Sequence, residues 1–308
     1  MLISKLLDKK PRFDFLKVKY IAVILSLAAF ALAGFVYTKK GFNYGIDFAG
    51  GILVEVKAEG VLDPDKIREK IQNLGLRDVM IQPMGEDGTE MMVHVPTTPE
   101  QTEKEQMDLL KKLRVELGEG IEYRKIEMVG PKVGGELKKN SVFAAVLAIL
   151  IMTLYVWFRF EWPFALMVLI TLAHDILLTV LLFSVLQINI DLTIIAAVLA
   201  MAGYSVNDTV VSFDRVRENL RKHGKMPIPE LLNKSINETL SRTILTGMST
   251  LVAVLAIFFM GGEVLHGFAT VMLAGILIGT YSSIFLAVPF LSHFDLRKIV
   301  AKKEEAKA

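Results

Sequence analysis

Residues 190–211 read IDLTIIAAVLAMAGYSVNDTVV, with Asp191 at the entrance, Asn207-Asp208 near the end and little but small or apolar side chains between. About 20 mostly apolar residues in helical form cross a hydrocarbon core roughly 30 Å thick. The stretch reads as a membrane span. Five further runs qualify or nearly do: Tyr20–Tyr37, Val142–Phe158, Phe164–Leu186 with His174 and Asp175 inside it, Thr243–Met260 after Arg242, and Val264–Phe290. The whole composition agrees. Of the 308 residues 53% are hydrophobic, above an ordinary globular chain, while the charged fraction of 22% is normal, so charge is segregated from apolar runs.

Lysine and arginine set the orientation. Residues 1–19 hold six, Arg159 lies between the second and third runs, 213–241 hold six and 291–308 hold five, whereas 187–189 and 261–263 hold none. The positive-inside rule then places both termini and the 213–241 loop in the cytoplasm, and residues 38–140 outside. The first run follows Lys5, Lys9, Lys10, Arg12, Lys17 and Lys19 but exceeds the usual signal-peptide core, so it reads as a retained anchor. The expected organisation is a cytoplasmic 1–19, a first span at 20–37, an external domain at 38–140, a five-helix remainder at 141–290 and a cytoplasmic tail at 291–308.

Between 41 and 140 the composition changes to 19 acidic and 14 basic residues. The pattern is strand, helix, strand, strand, helix, strand. Gly51–Val56 alternates partly. Asp63 before Pro64 is a helix N-cap with proline in the first turn. Gly85-Glu86-Asp87-Gly88 turns a hairpin between Val79–Met84 and Met91–Val95. Thr98-Pro99 opens a second helix carrying Leu109, Leu110 and Leu113, and Ile121–Val129 closes the domain. That order is the ferredoxin-like arrangement, which by itself specifies no chemistry.

Much chemistry has no footing. There is no Walker A loop, no Gly-x-Ser-x-Gly and no His-Glu-x-x-His; five histidines lack metal-ligand spacing and cysteine is absent. No metal, no cofactor and no enzymatic site is expected. A net charge of only +2 argues against nucleic acid.

What remains is the ionisable groups within the spans, costly there and usually turned to a bundle interior or polar path. Asp208 and Arg242 lie at similar depth on neighbouring helices and are expected to pair, with Asn207 beside them. The competing account is interfacial charge snorkelling to water. Asp175, next to His174 in mid-span, fits a cross-helix bond as well as a transport role. Gly275 and Gly279 form a Gly-x3-Gly packing contact.

Several motifs then fall in a telling order: Gly45-Ile46-Asp47-Phe48-Ala49-Gly50-Gly51, Val129-Gly130-Pro131, Ala173-His174-Asp175, Gly203-Tyr204-Ser205-Val206-Asn207-Asp208-Thr209, Phe213-Asp214-Arg215-Val216-Arg217-Glu218-Asn219 and Leu240-Ser241-Arg242-Thr243. Over nearly its whole length the chain resembles the SecD/SecF family of the bacterial Sec protein translocase, on its SecF side. Ala49 stands where Thr or Ser is commoner. The resemblance implies a polytopic α-helical membrane protein, six helices in an RND-type half-bundle with one external α+β domain, and SecD supplying the other six. It implies residence in the bacterial inner membrane and use of the proton motive force to draw preproteins through SecYEG after SecA's ATP-driven step, with YidC and YajC as further associates. The family's proton-path residues fall on Asp208 and Arg242. Gly45, Asp47, Gly50 and Gly51 form the motif after the first span, for which a structural role is expected: glycine permits a tight turn where the domain leaves the membrane.

Three other functions compete. A small-molecule RND exporter needs a second half and larger external loops. An intramembrane aspartyl protease using Asp175 and Asp208 needs facing carboxylates in a Gly-x-Gly-Asp context, whereas Asn207 precedes Asp208. A passive scaffold needs no ion at all.

Overall fold

The computed structural model describes residues 13–305, apart from 75, 77, 78, 85, 86, 98–100, 102 and 119. The expected helix opening at Thr98-Pro99, the first half of the Gly85–Gly88 turn and four of the six N-terminal basic residues lie outside the described residues. In chain order the elements are α1 (Phe15–Lys40), β1 (Asn43–Tyr44), α2 (Ile46–Ala49), β2 (Gly51–Ala58), α3 (Pro64–Asn73), β3 (Met80–Met84), β4 (Glu90–Val95), α4 (Glu103–Leu117), β5 (Ile121–Val129), α5 (Pro131–Arg159), α6 (Trp162–Leu186), β6 (Asn189–Ile190), α7 (Leu192–Lys222), α8 (Ile228–Met260) and α9 (Gly262–Ser282). A π-helical segment (Ser283–Ala287), α10 (Val288–Phe290), a 3₁₀ turn (Leu291–His293) and α11 (Leu296–Glu305) complete the chain. Two compact units result: residues 43–144 with 189–193, and the remainder.

In the smaller unit the sheet runs β3-β4-β2-β5 with every neighbouring pair antiparallel, the ferredoxin-like order. Alternation along β2 sends Ile52, Val54 and Val56 to one face, where they meet Met91, Val93 and Val95 of β4, Ile67 and Ile71 of α3, and Leu110, Leu113 and Leu117 of α4. Asp63 caps α3 as its sequence predicts, its Oδ1 accepting from the Asp65 amide at 3.0 Å. On β4, Glu90 takes Lys57 Nζ at 2.9 Å and Arg124 at 2.8 Å. The Lys57 hydrogen bond first, then the nearby charges, hold the Glu90 carboxyl below its ordinary value. This cross-strand cluster therefore supports folding at neutral pH and is lost as pH falls through that lowered value.

Gly51 opens β2 at φ +127°, and a Cβ there would lie 2.5 Å from the Val95 carbonyl and 2.8 Å from His94 Nε2. The His94 ring is held in place by its bond to the Gly50 carbonyl at 3.0 Å. Gly51→Ala is expected to destabilise this unit by about 1–3 kcal/mol. A fall in the melting midpoint of the solubilised chain, followed by protease resistance of residues 43–144, would register it; an unchanged midpoint removes the strain argument.

A second, two-stranded sheet joins β1 to β6 in parallel, Asn43 opposite Asn189 and Tyr44 opposite Ile190. The Asn43 and Asn189 side chains bond to each other. Asp47 Oδ2 accepts from the Leu192 amide at 3.0 Å. This places a carboxylate on a free N–H at the start of α7, where the helix dipole favours negative charge.

In the larger unit α9 packs on α8 and α6, and α1 packs on α6 and the π segment. Six described helical stretches are long and apolar enough to cross a membrane: α1, α5, α6, α7, α8 and Leu265–His293. Large apolar side chains on α1, α5 and α8, such as Ile24, Phe143 and Met248, are exposed. Hydrocarbon is their proper solvent, so apolarity on all sides replaces the one-sided stripe of a water-facing helix.

One expectation is corrected. The segment 213–241, read as a loop, is helical except for residues 223–227, because α7 and α8 extend well beyond their apolar runs. Phe213 is fully buried against Phe160 and Phe164, Asp214 pairs with Arg159 at 3.3 Å, and Arg217 with Glu161 at 3.2 Å. Arg215 bonds Glu238 at 2.7 Å, and Asn219 bonds Ser235 and Glu238. Side-chain pairing of this kind lets polar sequence continue a helix that hydropathy alone would end.

Candidate functional site

Polar side chains converge inside the larger unit from α1, α6, α7, α8 and the α9–π junction. Asp208 on α7 is only 6% exposed. Its Oδ1 accepts from Thr243 Oγ1 of α8 at 2.7 Å, while its Oδ2 is buried without a hydrogen-bond partner among the described residues. The Ser283 hydroxyl lies close by and shares a hydrogen bond with Thr209 at 2.8 Å in which either oxygen can donate.

Asp208 and Arg242, expected to pair, form no ion pair among the described residues. Arg242 is exposed. The physical reason is helical phase: residues 242 and 243 point about 100° apart, so once Thr243 faces α7, Arg242 faces away. Asn207 is likewise exposed, one position off the buried face that carries Asp208.

Asp175 is 0% exposed and differs from Asp208 in being saturated. His174 Nδ1 lies 2.8 Å from its Oδ1, and Ser205 and Ser282 donate to its Oδ2 at 2.5 and 2.8 Å. His174 Nε2 bonds Ser26 Oγ of α1 at 3.0 Å; Ser26 in turn contacts the Tyr281 hydroxyl at 3.2 Å, which donates to the Ala22 carbonyl at 2.6 Å.

Close helix approach makes these bonds possible. A Cβ on Gly275 would lie 2.6 Å from Met201 Sδ, and one on Gly279 would lie 2.9 Å from Ser205 Cβ. The Gly-x3-Gly thus presses α9 onto α7 where Ser205 reaches Asp175. Gly279→Ala should cost about 1–3 kcal/mol through overpacking against Ser205. It is expected to lower the thermal midpoint of the solubilised protein, an effect that Ser205→Gly partly restores; no rescue by the second change argues against this contact.

Sequence reasoning finds the ionisable members of this cluster and misses the hydroxyls. Ser26, Ser205, Thr209, Thr243, Ser282 and Ser283 look ordinary one by one. Ser282-Ser283, a polar pair deep in an apolar run, is the signal that was available, and it marks the α-to-π transition, a feature frequent at functional sites.

Comparison with known proteins shows the family. Residues 109–297 match the family described as "Protein export membrane protein SecD/SecF, C-terminal", and residues 38–60 match the "SecD/SecF GG Motif". The chain belongs to the SecD/SecF family. It is 42% identical to the protein translocase subunit SecF of Rickettsia felis over 97% of both chains, and 42% identical to that of Rickettsia akari over 96% of both. Among solved structures it resembles SecDF of Thermus thermophilus, described as a translocon-associated membrane protein, at 34% identity and a TM-score of 0.82 over 96% of this chain. A SecDF structure in a super-membrane-facing form gives 0.66 at the same identity. The chain spans about two fifths of either SecDF, 39% and 40%. It is a multi-pass membrane protein with a role in Sec-dependent protein translocation, and the GG motif of the SecD/SecF family corresponds here to the β1–α2–β2 passage that caps α7 through Asp47.

Proposed function

We propose that the protein works with a SecD-type subunit as a proton-driven component of the Sec translocase, promoting preprotein movement through SecYEG after SecA's step. The observation that carries this reading is the orphaned Oδ2 of buried Asp208. A buried carboxylate oxygen without a donor is costly and gains by taking up a proton. Thr243 holds the other oxygen, so a small shift of α8 against α7 removes that donor and carries the neighbouring Arg242 with it. The proton-bound and proton-free states then prefer different helix positions, and a coupling device needs that difference. Transport rather than catalysis suits a cluster of hydroxyls and carboxylates whose two aspartates bond separate partners.

The exposed side of α7 supports a second subunit. Ala196, Ala200, Gly203 and Asn207 are all exposed and recur at helical spacing, a stripe of small residues ending in an amide. Stripes of this kind let membrane helices approach closely. Arg242 on α8 is exposed as well and is expensive against lipid. In this reading both termini are cytoplasmic, the 43–144 unit lies outside, and the membrane is the bacterial inner membrane.

A Cβ at Gly203 meets nothing within 4 Å. Gly203→Leu is therefore expected to leave the chain folded and inserted while removing the SecD-type subunit from mild-detergent co-purification. Full recovery of a six-helix partner with Gly203→Leu would place the interface elsewhere, and a fully active lone chain would refute the assembly.

A further inference from the structure

We infer that Met80, Met92 and His94, in the smaller unit, form a binding site for one copper(I) ion. The site stands independently of the proton-driven reading, since none of its residues belongs to the Asp208 cluster. Histidine spacing argues against a metal, but that pattern takes no account of thioethers, the sulfur ligands left to a chain without cysteine.

Strand alternation brings the three side chains together. Ile81, Met91, Val93 and Val95 pack in the helix-covered core, so Met80, Met92 and His94 emerge on the opposite face of the sheet. Met80 stands directly across from His94, and Met92 across from Gln82, so the two methionines are diagonal neighbours within reach of each other. All three line one small cavity with Leu53 and Gln82, walled on its other side by Tyr44, Gly45, Ile46 and Asn189. Asn189 Nδ2 bonds Gln82 Oε1 at 3.3 Å across that wall. The cavity has room for about one water-sized body, which excludes an organic ligand.

The histidine is already set as a ligand. His94 is only 8% exposed, and its Nε2 lies 3.0 Å from the Gly50 carbonyl oxygen. A carbonyl can only accept, so Nε2 carries a proton and the neutral ring keeps its lone pair on Nδ1. Among the described residues no other group bonds the ring. Metal-ligating histidines almost always donate their second ring nitrogen to such an acceptor, which fixes tautomer and orientation. Two thioethers and one imidazole are neutral, soft donors, the set that selects copper(I) over zinc or the harder cations. Packing alone accounts for Met91, fully buried against the helices. It does not account for Met80, which is 38% exposed on an edge strand beside the histidine.

The test uses the full chain in detergent under argon, titrated with copper(I) kept reduced by ascorbate, with a colorimetric copper(I) chelator as competitor. The wild-type chain is expected to bind one equivalent, and X-ray absorption should show both sulfur and nitrogen neighbours. Met80→Leu and Met92→Leu keep size and apolarity, so the sheet is expected to fold unchanged while each weakens binding roughly tenfold or more. No uptake by the wild-type chain, or full affinity in the double variant, overturns the site. A second measurement does not depend on how the variants fold. Silver(I), a redox-inert stand-in for copper(I), is added at one equivalent to wild-type chain labelled on its methionine methyl carbons. Of the fourteen methionine resonances, those of Met80 and Met92 are expected to shift. Shifts confined to other methionines, or none at all, overturn the assignment.

Discussion

Asp208→Asn is expected to insert, fold and assemble normally yet lose nearly all stimulation of export by a proton gradient. Asparagine keeps the side-chain size and still accepts the Thr243 hydroxyl, so the α7–α8 contact survives. Its amide cannot titrate. One charge moving through 100 mV is worth about 2.3 kcal/mol, a bias of roughly 50-fold when each tenfold takes about 1.4 kcal/mol. That bias is what the variant forfeits. Inverted vesicles with ATP held constant and the gradient switched on or off give the measurement. Export that still responds fully to the gradient leaves Asp208 as an interfacial charge. Arg242→Ala is expected to follow Asp208→Asn, with Arg242→Lys retaining part of the response because charge is kept and the planar fork lost.

The second large effect concerns the outer unit. Gly51 and Val129 are partners across β2 and β5, so excising residues 52–128 leaves two ends about 5 Å apart that a short glycine linker closes. The α3–α4-covered core goes as a whole, with no half-sheet left to aggregate. The spans keep their own apolar stretches and are expected to insert and bind their partner subunit unchanged. Preprotein export should fall to the level of a strain lacking the protein altogether. Normal export from the excised chain would mean that the outer sheet takes no part in moving preproteins.

Much of this architecture is written locally, and the parts that are not share a physical cause. Each span announces itself because about 20 apolar residues have one economical environment. The outer fold is legible because Asp63-Pro64, the β2 alternation and the glycine turns each act within a few residues. Helix ends are less legible: α7 runs on through Phe213–Lys222 because Arg159, Glu161 and Glu238, distant in sequence, satisfy its charges. At the site, Asp175 and Asp208 stand out as charges in apolar runs. Their hydroxyl partners Ser205, Ser282 and Thr243 come from three helices, and no periodicity marks Ser26 as the neighbour of a histidine 148 residues away. The missing Asp208–Arg242 pair has the same origin, since adjacent positions in a helix cannot both face one neighbour.

The β1–β6 clasp also sets a timetable for biogenesis. Asn43 and Asn189 are separated by 146 positions, and the Asp47 bond to the start of α7 spans 145. At roughly 5–20 residues per second, ribosomal synthesis needs about 7–30 s to deliver the later partner after the earlier one. Throughout that interval the ferredoxin-like unit can fold while its tie to α7 waits for a strand not yet made. A nascent chain arrested before residue 189 should therefore display a finished outer sheet and an unfastened β1, left open on the outer side until β6 is made.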